Sequence, residues 1–174
     1  YLYALRIEKQ GERNIQDILD MKVGFRKVEQ VLLDEESGEA RFAFKINGQK
    51  IFLMGAGWAP LEGMTHRWDK ERSDRQIDMA IQAHMNVFRM WAGGNIPPSS
   101  WYDECDRRGI LVWQDFYFGY GVHPYEDKKF RKNVELELKD MIMRLRNHTS
   151  IFLWTGGNEN IMGWEFGKEY VPAP

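Results

Sequence analysis

The stretch Asn86 to Phe116, NVFRMWAGGNIPPSSWYDECDRRGILVWQDF, decides the fold. Asn86 to Trp91 reads as a short strand that ends at Ala92-Gly93-Gly94-Asn95. Pro97 and Pro98 suit the start of a helix, Trp101, Tyr102 and Cys105 give it one apolar face, and Gly109 stops it. Ile110 to Phe116 is then a second strand. Two strands joined through a helix run parallel, because the helix crosses back over the sheet in the right-handed sense. The same unit recurs on both sides. Upstream, Ser73 or Asp74 can cap a helix with Ile77, Ala80, Ile81 and Met85 at helical spacing. Downstream, a helix from about Lys128 to Asn147 carries Phe130, Val134, Leu138, Met141, Ile142 and Leu145 on one stripe. It feeds the apolar strand Ile151 to Thr155. Three such units predict an α/β fold with about four parallel strands, and the unbroken runs ILVW and IFLW fit strands buried on both faces.

The N-terminal part has a different pattern. Tyr1 to Glu8 alternates with strand period, Lys9 to Asp20 reads as a turn or irregular connection, and Val23 to Leu33 reads as extended again. Two strands without helices suggest the trailing edge of an all-β module. The charged segment DEESGE, Asp34 to Glu39, places a domain boundary between about residues 30 and 40. Beyond it, Arg41 to Ile46 and Gln49 to Met54 form a hairpin, because Asn47-Gly48 supplies the positive φ angles of a two-residue turn. The return strand runs on into Gly55-Ala56-Gly57-Trp58-Ala59-Pro60, where small residues allow a tight turn and Trp58 is placed at the strand's exit.

A chain of 174 residues is too short for a complete (β/α)8 barrel, which takes about 250 residues. Its net charge of -2 and charged fraction of 29% give no electrostatic reason to expect nucleic acid or an anionic membrane as partner. Cys105 is the single cysteine, so no internal disulfide forms and the compartment is left open. It reads as a small core residue on the helix after Pro98. No apolar run reaches membrane-spanning length, and Tyr1 begins directly in strand-like sequence, which reads as a piece of a longer chain.

In a parallel barrel the residues just after each strand gather at one rim. The four exits supply Trp58; Arg89, Trp91 and Asn95; Gln114 and Asp115; and Asn158 and Glu159. Indoles, amides and carboxylates together suit a sugar site, with indole faces stacking on C–H surfaces and polar groups fixing hydroxyls. Glu159, delivered by the Gly156-Gly157 turn, is the acid/base candidate, and Trp154 and Trp164 on either side are expected to wall a dry pocket for it. Asp115 is a possible second carboxylate, read as binding a substrate hydroxyl. Arg89 is read either as a sugar contact or as a buried cation paired with Asp115 or Glu159. There is no Gly-rich phosphate loop with a following lysine and no His-x-x-x-His spacing, so neither cofactor nor metal is expected.

The series VGFRKVE (Val23 to Glu29), FKINGQKIFLMGAGWAP (Phe44 to Pro60), NVFRMWAGG (Asn86 to Gly94), WYDECDRRGILVWQDF (Trp101 to Phe116) and RNHTSIFLWTGGNEN (Arg146 to Asn160) resembles family 2 glycoside hydrolases, in particular the β-mannosidase branch. The resemblance runs in order from about residue 20 to 165. It implies immunoglobulin-like β-sandwich domains leading into a (β/α)8 barrel, so that 1–33 would end a sandwich and 34–174 would be the N-terminal half of the barrel, incomplete. It implies a retaining glycosidase acting on a β-linked glycoside, with Glu159 as acid/base and Asn158 binding the sugar's 2-hydroxyl. Trp91 would line the terminal sugar subsite, Asp115 would contact sugar hydroxyls, and Arg89 would support the catalytic carboxylates. Trp58 and Trp164 complete the substrate-binding set.

The family's nucleophile lies on a later strand, past Pro174. Two departures bear on the sugar: Arg-x-Trp-Gly-Gly-Gly reads Arg89-Met90-Trp91-Ala92-Gly93-Gly94, and Gly-Asn-Asn-Glu reads Gly156-Gly157-Asn158-Glu159. Endo-β-mannosidases, exo-β-glucosaminidases and β-galactosidases share the architecture, and a non-catalytic carbohydrate-binding module is the reading from another class. A polysaccharide-degrading parent suits a periplasmic, extracellular or lysosomal site. The chain by itself is expected to be inactive and either to self-associate through open sheet edges or to need the missing barrel half.

Overall fold

The computed structural model describes residues 1–12, 14–33, 37–38 and 40–162. The chain opens with a two-stranded antiparallel ribbon, β1 (Tyr3–Gln10) and β2 (Ile15–Val23), in which Ile7 lies opposite Leu19. Arg6 clasps Asp20 across it with bonds of 2.7 and 2.9 Å. The expectation of an irregular connection over 9–20 is thus corrected to a strand from Ile15. Tyr1 to Glu8 is a strand as its alternation predicts, whereas β2, almost wholly exposed, has no buried face to impose a readable one.

Three further strands, β3 (Val28–Leu33), β4 (Ala40–Ile46) and β5 (Gln49–Ile51), make an antiparallel sheet in that order. Asn47 and Gly48 take φ of 53° and 81°, the left-handed pair that the Asn-Gly turn predicts. Asn47 also ties the turn to the start of β3, since its Oδ1 accepts from Lys27 N at 2.8 Å and its N–H donates to Lys27 O at 2.9 Å. A division at 33/34 falls between β3 and β4, which share a ladder from Val28 opposite Ile46 to Leu33 opposite Ala40. Residues 28–33 hydrogen-bond to β4, and Val28 packs with Phe44, Val87 and Phe152.

From there the chain alternates. After β6 (Gly55–Trp58) and a 3-10 turn over Thr65–Arg67 come α1 (Lys70–Gln82), β7 (Val87–Met90), α2 (Ser99–Arg108), β8 (Leu111–Asp115), α3 (Lys128–Leu145) and β9 (Ile151–Thr155). The four strands form one parallel sheet in the order β6-β7-β8-β9. The Gly55 to Trp58 segment is therefore a strand, not the expected turn. A Cβ on Gly55 would fall 1.8 Å from the carbonyl oxygen of Val87, so the small residues serve close approach of β6 to β7.

Helix α1 begins at Lys70 because Asp69 caps it, accepting from Arg72 N at 3.0 Å; Ser73 lies inside the helix, buried. Asp127 likewise caps α3 through the N–H groups of Lys129 and Phe130. Gly109 ends α2 at φ 76°, the left-handed cap that favours glycine.

Alternation along the strands divides the side chains. Phe88, Met90, Val112 and Ile151 pack against the helices with Ile77, Trp101, Tyr102, Cys105, Met141 and Leu145. Each large side chain buried fully there contributes roughly 1.5–3 kcal/mol. On the other face Val87, Leu111, Trp113 and Leu153 meet Phe44 and Ile46 of the antiparallel sheet. One irregularity interrupts the ladder: Val112 lies opposite Ile151, but Trp113 lies opposite Leu153. Skipping Phe152 leaves the Ile151 carbonyl to Arg26, whose Nε donates to it at 2.9 Å. The arginine of the VGFR segment thus pins the start of β9.

Candidate active site

The pleat sends Arg89 of β7, Trp113 and Asp115 of β8 and Thr155 of β9 to the face away from the helices, since their neighbours Phe88, Met90, Val112 and Gln114 point into the helix layer. Asp115 is opposite Thr155 in register. Its side chain is wholly buried, at 0% exposure, and Arg89 holds it in a forked pair, Nε to Oδ1 at 3.3 Å and Nη2 to Oδ2 at 2.7 Å. Thr155 Oγ1 adds a third bond to Oδ1 at 2.7 Å. The guanidinium also lies 5.6 Å from the centroid of the Trp113 ring, within cation–π range.

Arg89 Nη2 continues to Asn158 Oδ1 at 3.0 Å. Guanidinium nitrogens only donate, so the Asn158 amide must turn its oxygen to Arg89 and present Nδ2 as a donor. The turn carrying Asn158 is held from below: Asn158 N–H donates to Phe118 O at 2.7 Å, and the Asn160 amide, oriented to donate, reaches the carbonyls of Phe118 and Gly119 at 3.2 Å. Phe118 in turn packs edge-on against His123, 5.4 Å between centroids, and His123 stacks on Phe130 of α3. Glu159 follows with φ 53° and an exposed side chain. A left-handed backbone at a non-glycine residue costs roughly 1–3 kcal/mol and persists where neighbours over-determine it, which the bonds of Asn158 and Asn160 do.

The expected set of site residues separates on this geometry. Arg89, Asp115 and Asn158 are joined by hydrogen bonds at the ends of β7, β8 and β9, and Glu159 follows Asn158 in the chain with an exposed side chain. Trp91 stands beyond β7 with 44% of its surface exposed, its indole lying over Gly93, where a Cβ would come within 2.3 Å of the ring. Trp58 does not face the site. It is 2% exposed, its ring tilted against those of Trp68 and Trp101, and its indole N–H donates to Gln76 at 2.8 Å. As the last residue of β6 it falls on the helix side of the pleat, so its expected sugar-stacking role is replaced by packing. Nor does Trp154 wall Glu159: it packs on the helix layer, stacked on Phe116 at 5.5 Å. Trp164 lies outside the described residues.

Asp115, expected to contact sugar hydroxyls, has no exposed side-chain surface and is bonded to Arg89 and Thr155. Thr155 and Trp113 are the members sequence reading missed. Both lie inside apolar runs, and only the parallel register shows that Thr155 falls beside Asp115.

A second polar cluster sits at the opposite ends of the strands. Asp106 of α2 accepts from Ser150 N at 2.6 Å and from His148 Nδ1 at 2.8 Å, and His148 lies against the Tyr102 ring. Asp103, Asp106 and His148 are close enough to share an ion, but Asp106 spends both oxygens on clasping the turn before β9. Cys105, beside it, is fully buried, which pushes its thiol up from the ordinary range.

The comparisons with known proteins agree with the fold. The family model described as "Glycosyl hydrolases family 2, TIM barrel domain" matches residues 41–171. The chain belongs to glycoside hydrolase family 2. Its curated relatives in that family include a β-mannosidase of Bos taurus, 39% identical over 150 residues that cover 82% of this chain and 17% of the relative. Another is the β-mannosidase B of Emericella nidulans, 34% identical over 160 residues, covering 92% and 18%.

Among solved structures, the β-D-mannosidase from Dictyoglomus thermophilum aligns with a TM-score of 0.74 at 37% identity over 83% of this chain and 18% of that one. An exo-chitosanase from Amycolatopsis orientalis shares the fold, with a TM-score of 0.72 at 19% identity over 98% of this chain and 21% of that one. The chain spans about a sixth of the length of the curated relatives it matches, at 17–18%.

Within this family 2 chain the two departures have structural correlates. Ala92 is buried, so its methyl group has a place. At Gly157 a Cβ would approach Phe118 O to 2.3 Å, so the glycine lets the loop after β8 press against the turn that carries Asn158 and Glu159.

Proposed function

We propose that this chain carries the acid/base side of a retaining family 2 glycosidase that cleaves terminal β-mannosides. The observation that carries the reading is the Arg89 bridge, which joins the buried Asp115 to Asn158 and so orients the residue beside Glu159. In the double displacement, Glu159 protonates the leaving oxygen and then deprotonates the water that hydrolyses the glycosyl-enzyme. Asn158 Nδ2 donates to the 2-hydroxyl, and Trp91 gives the terminal sugar an apolar face.

The partner carboxylate, about 5–5.5 Å away in a retaining site, comes from outside these residues. β6 to β9 are read as the first half of an eight-stranded barrel, and the β1–β2 ribbon as the end of a preceding immunoglobulin-like sandwich. The relatives at 34–39% identity are β-mannosidases, which supports mannose as the sugar.

The test is the hydrolysis of aryl β-mannoside by the full-length protein, followed by proton NMR. The first-formed sugar is expected to be the β-anomer, with β-glucosaminide and β-galactoside cleaved far more slowly. First release of the α-anomer, or no preference for mannose, overturns the proposal.

A further inference from the structure

We propose that Thr155, with Trp113, is a positioning element that sets Arg89 and Asn158 for recognition of the sugar's 2-hydroxyl; this rests on the mannosidase reading above. Proton direction fixes the order of the contacts. An indole N–H only donates, and Trp113 Nε1 is directed at Thr155 Oγ1. The threonine hydroxyl has one proton. With its oxygen accepting from Trp113, that proton goes to Asp115 Oδ1 at 2.7 Å, the alternative acceptor Gln114 O being 3.5 Å away. Asp115 then takes Arg89 in a fork, and Arg89 lies over the Trp113 ring, so the four side chains close a ring in which each is held by two others.

Gln114 closes the remaining freedom of β8. It accepts from Tyr102 OH at 2.7 Å and donates to Asp115 O at 2.8 Å, fixing the backbone that carries the carboxylate. Removing the Thr155 hydroxyl leaves Asp115 with Arg89 alone and leaves the Trp113 N–H unpaired. The fork is then free to rotate, and with it the Nη2 that orients Asn158. Thr155 touches no reacting atom. Its effect is confined to the hydroxyl that Asn158 reads.

The experiment compares Thr155→Val, which keeps the shape, with Thr155→Ser, which keeps the hydroxyl, in the full-length protein. Each is assayed on an aryl β-mannoside and on its 2-deoxy analogue, with thermal unfolding alongside. Thr155→Val is expected to lower kcat/KM on the mannoside by about 10- to 100-fold and to change the 2-deoxy substrate little, while Thr155→Ser restores the preference. Equal losses on both substrates, or no loss, overturn the proposal.

Should Thr155→Val fail to fold, Trp113→Phe, which keeps an aromatic face without the N–H, is expected to show the same loss of preference in smaller degree. In a protein labelled with 5-fluorotryptophan, the fluorine resonance of residue 113 is expected to move in Thr155→Val and to stay in Thr155→Ser. That readout needs no activity. A wild-type protein without mannosidase activity would sink the functional reading alone, whereas an unmoved resonance would sink the network.

Discussion

Arg89 and Asp115 divide the burial unequally, the arginine side chain being 37% exposed and the carboxylate not at all. A buried carboxylate is stable only while its bonds are made, and Asp115 has three of them, two from Arg89 and one from Thr155. Asp115→Asn keeps one oxygen to accept from Arg89 but turns an amide N–H toward the other donor, so the charge and one arm of the fork are lost. The expected cost is roughly 2–3 kcal/mol, at or below the lower end for breaking a buried pair because Arg89 keeps some hydration. Denaturant unfolding followed by tryptophan fluorescence measures it.

Strand-end position alone picked out Arg89, Asp115, Asn158 and Glu159, because a residue after an apolar run is visible in a sequence. Which way a residue points was not visible. Trp58 and Asp115 each close a strand, yet pleat parity sends one to the helix layer and the other to the opposite face. Thr155 was hidden for a related reason: a hydroxyl inside IFLWT carries no signal until the register sets it beside a carboxylate.

Among the elements, β8 and β9 were legible because burial on both faces writes unbroken apolar runs, and α2 because Pro98 and Gly109 bracket it. Strands β6 and β2 were not. Glycines read as a turn unless the neighbouring strand is known to press on them, and the exposed β2 shows no alternation that marks it as a strand.

Two glycine substitutions separate these effects. Gly109→Ala adds a Cβ at φ 76° into open space, so only the backbone strain of about 1–2 kcal/mol is expected. Gly55→Ala places its Cβ 1.8 Å from Val87 O, and relief requires β6 to leave β7, which is expected to cost about 3 kcal/mol or more. Unfolding free energies of the two variants check the ranking; equal effects would mean that β6 does not depend on close approach.

For the whole molecule, β6 and β9 each have a neighbour on one side only among the described residues. Phe42 of β4 and Phe52, just after β5, are 64% and 83% exposed. Unpaired edges with exposed aromatics are templates for association. The 174-residue chain expressed alone is therefore expected to be inactive and to show a scattering mass that rises with concentration; an active, monodisperse monomer would contradict this.

The central claim is that Glu159 supplies and then removes a proton. It is tested most directly by Glu159→Ala in the full-length protein, assayed on aryl β-mannosides of graded leaving-group acidity, with and without azide. General acid–base assistance contributes about 10²- to 10⁴-fold. The predicted result is therefore a loss of kcat/KM in that range for poor leaving groups, little loss for the most acidic phenol, and azide rescue that yields β-mannosyl azide. A uniform loss along the series without rescue, or unchanged activity, contradicts the assignment of Glu159.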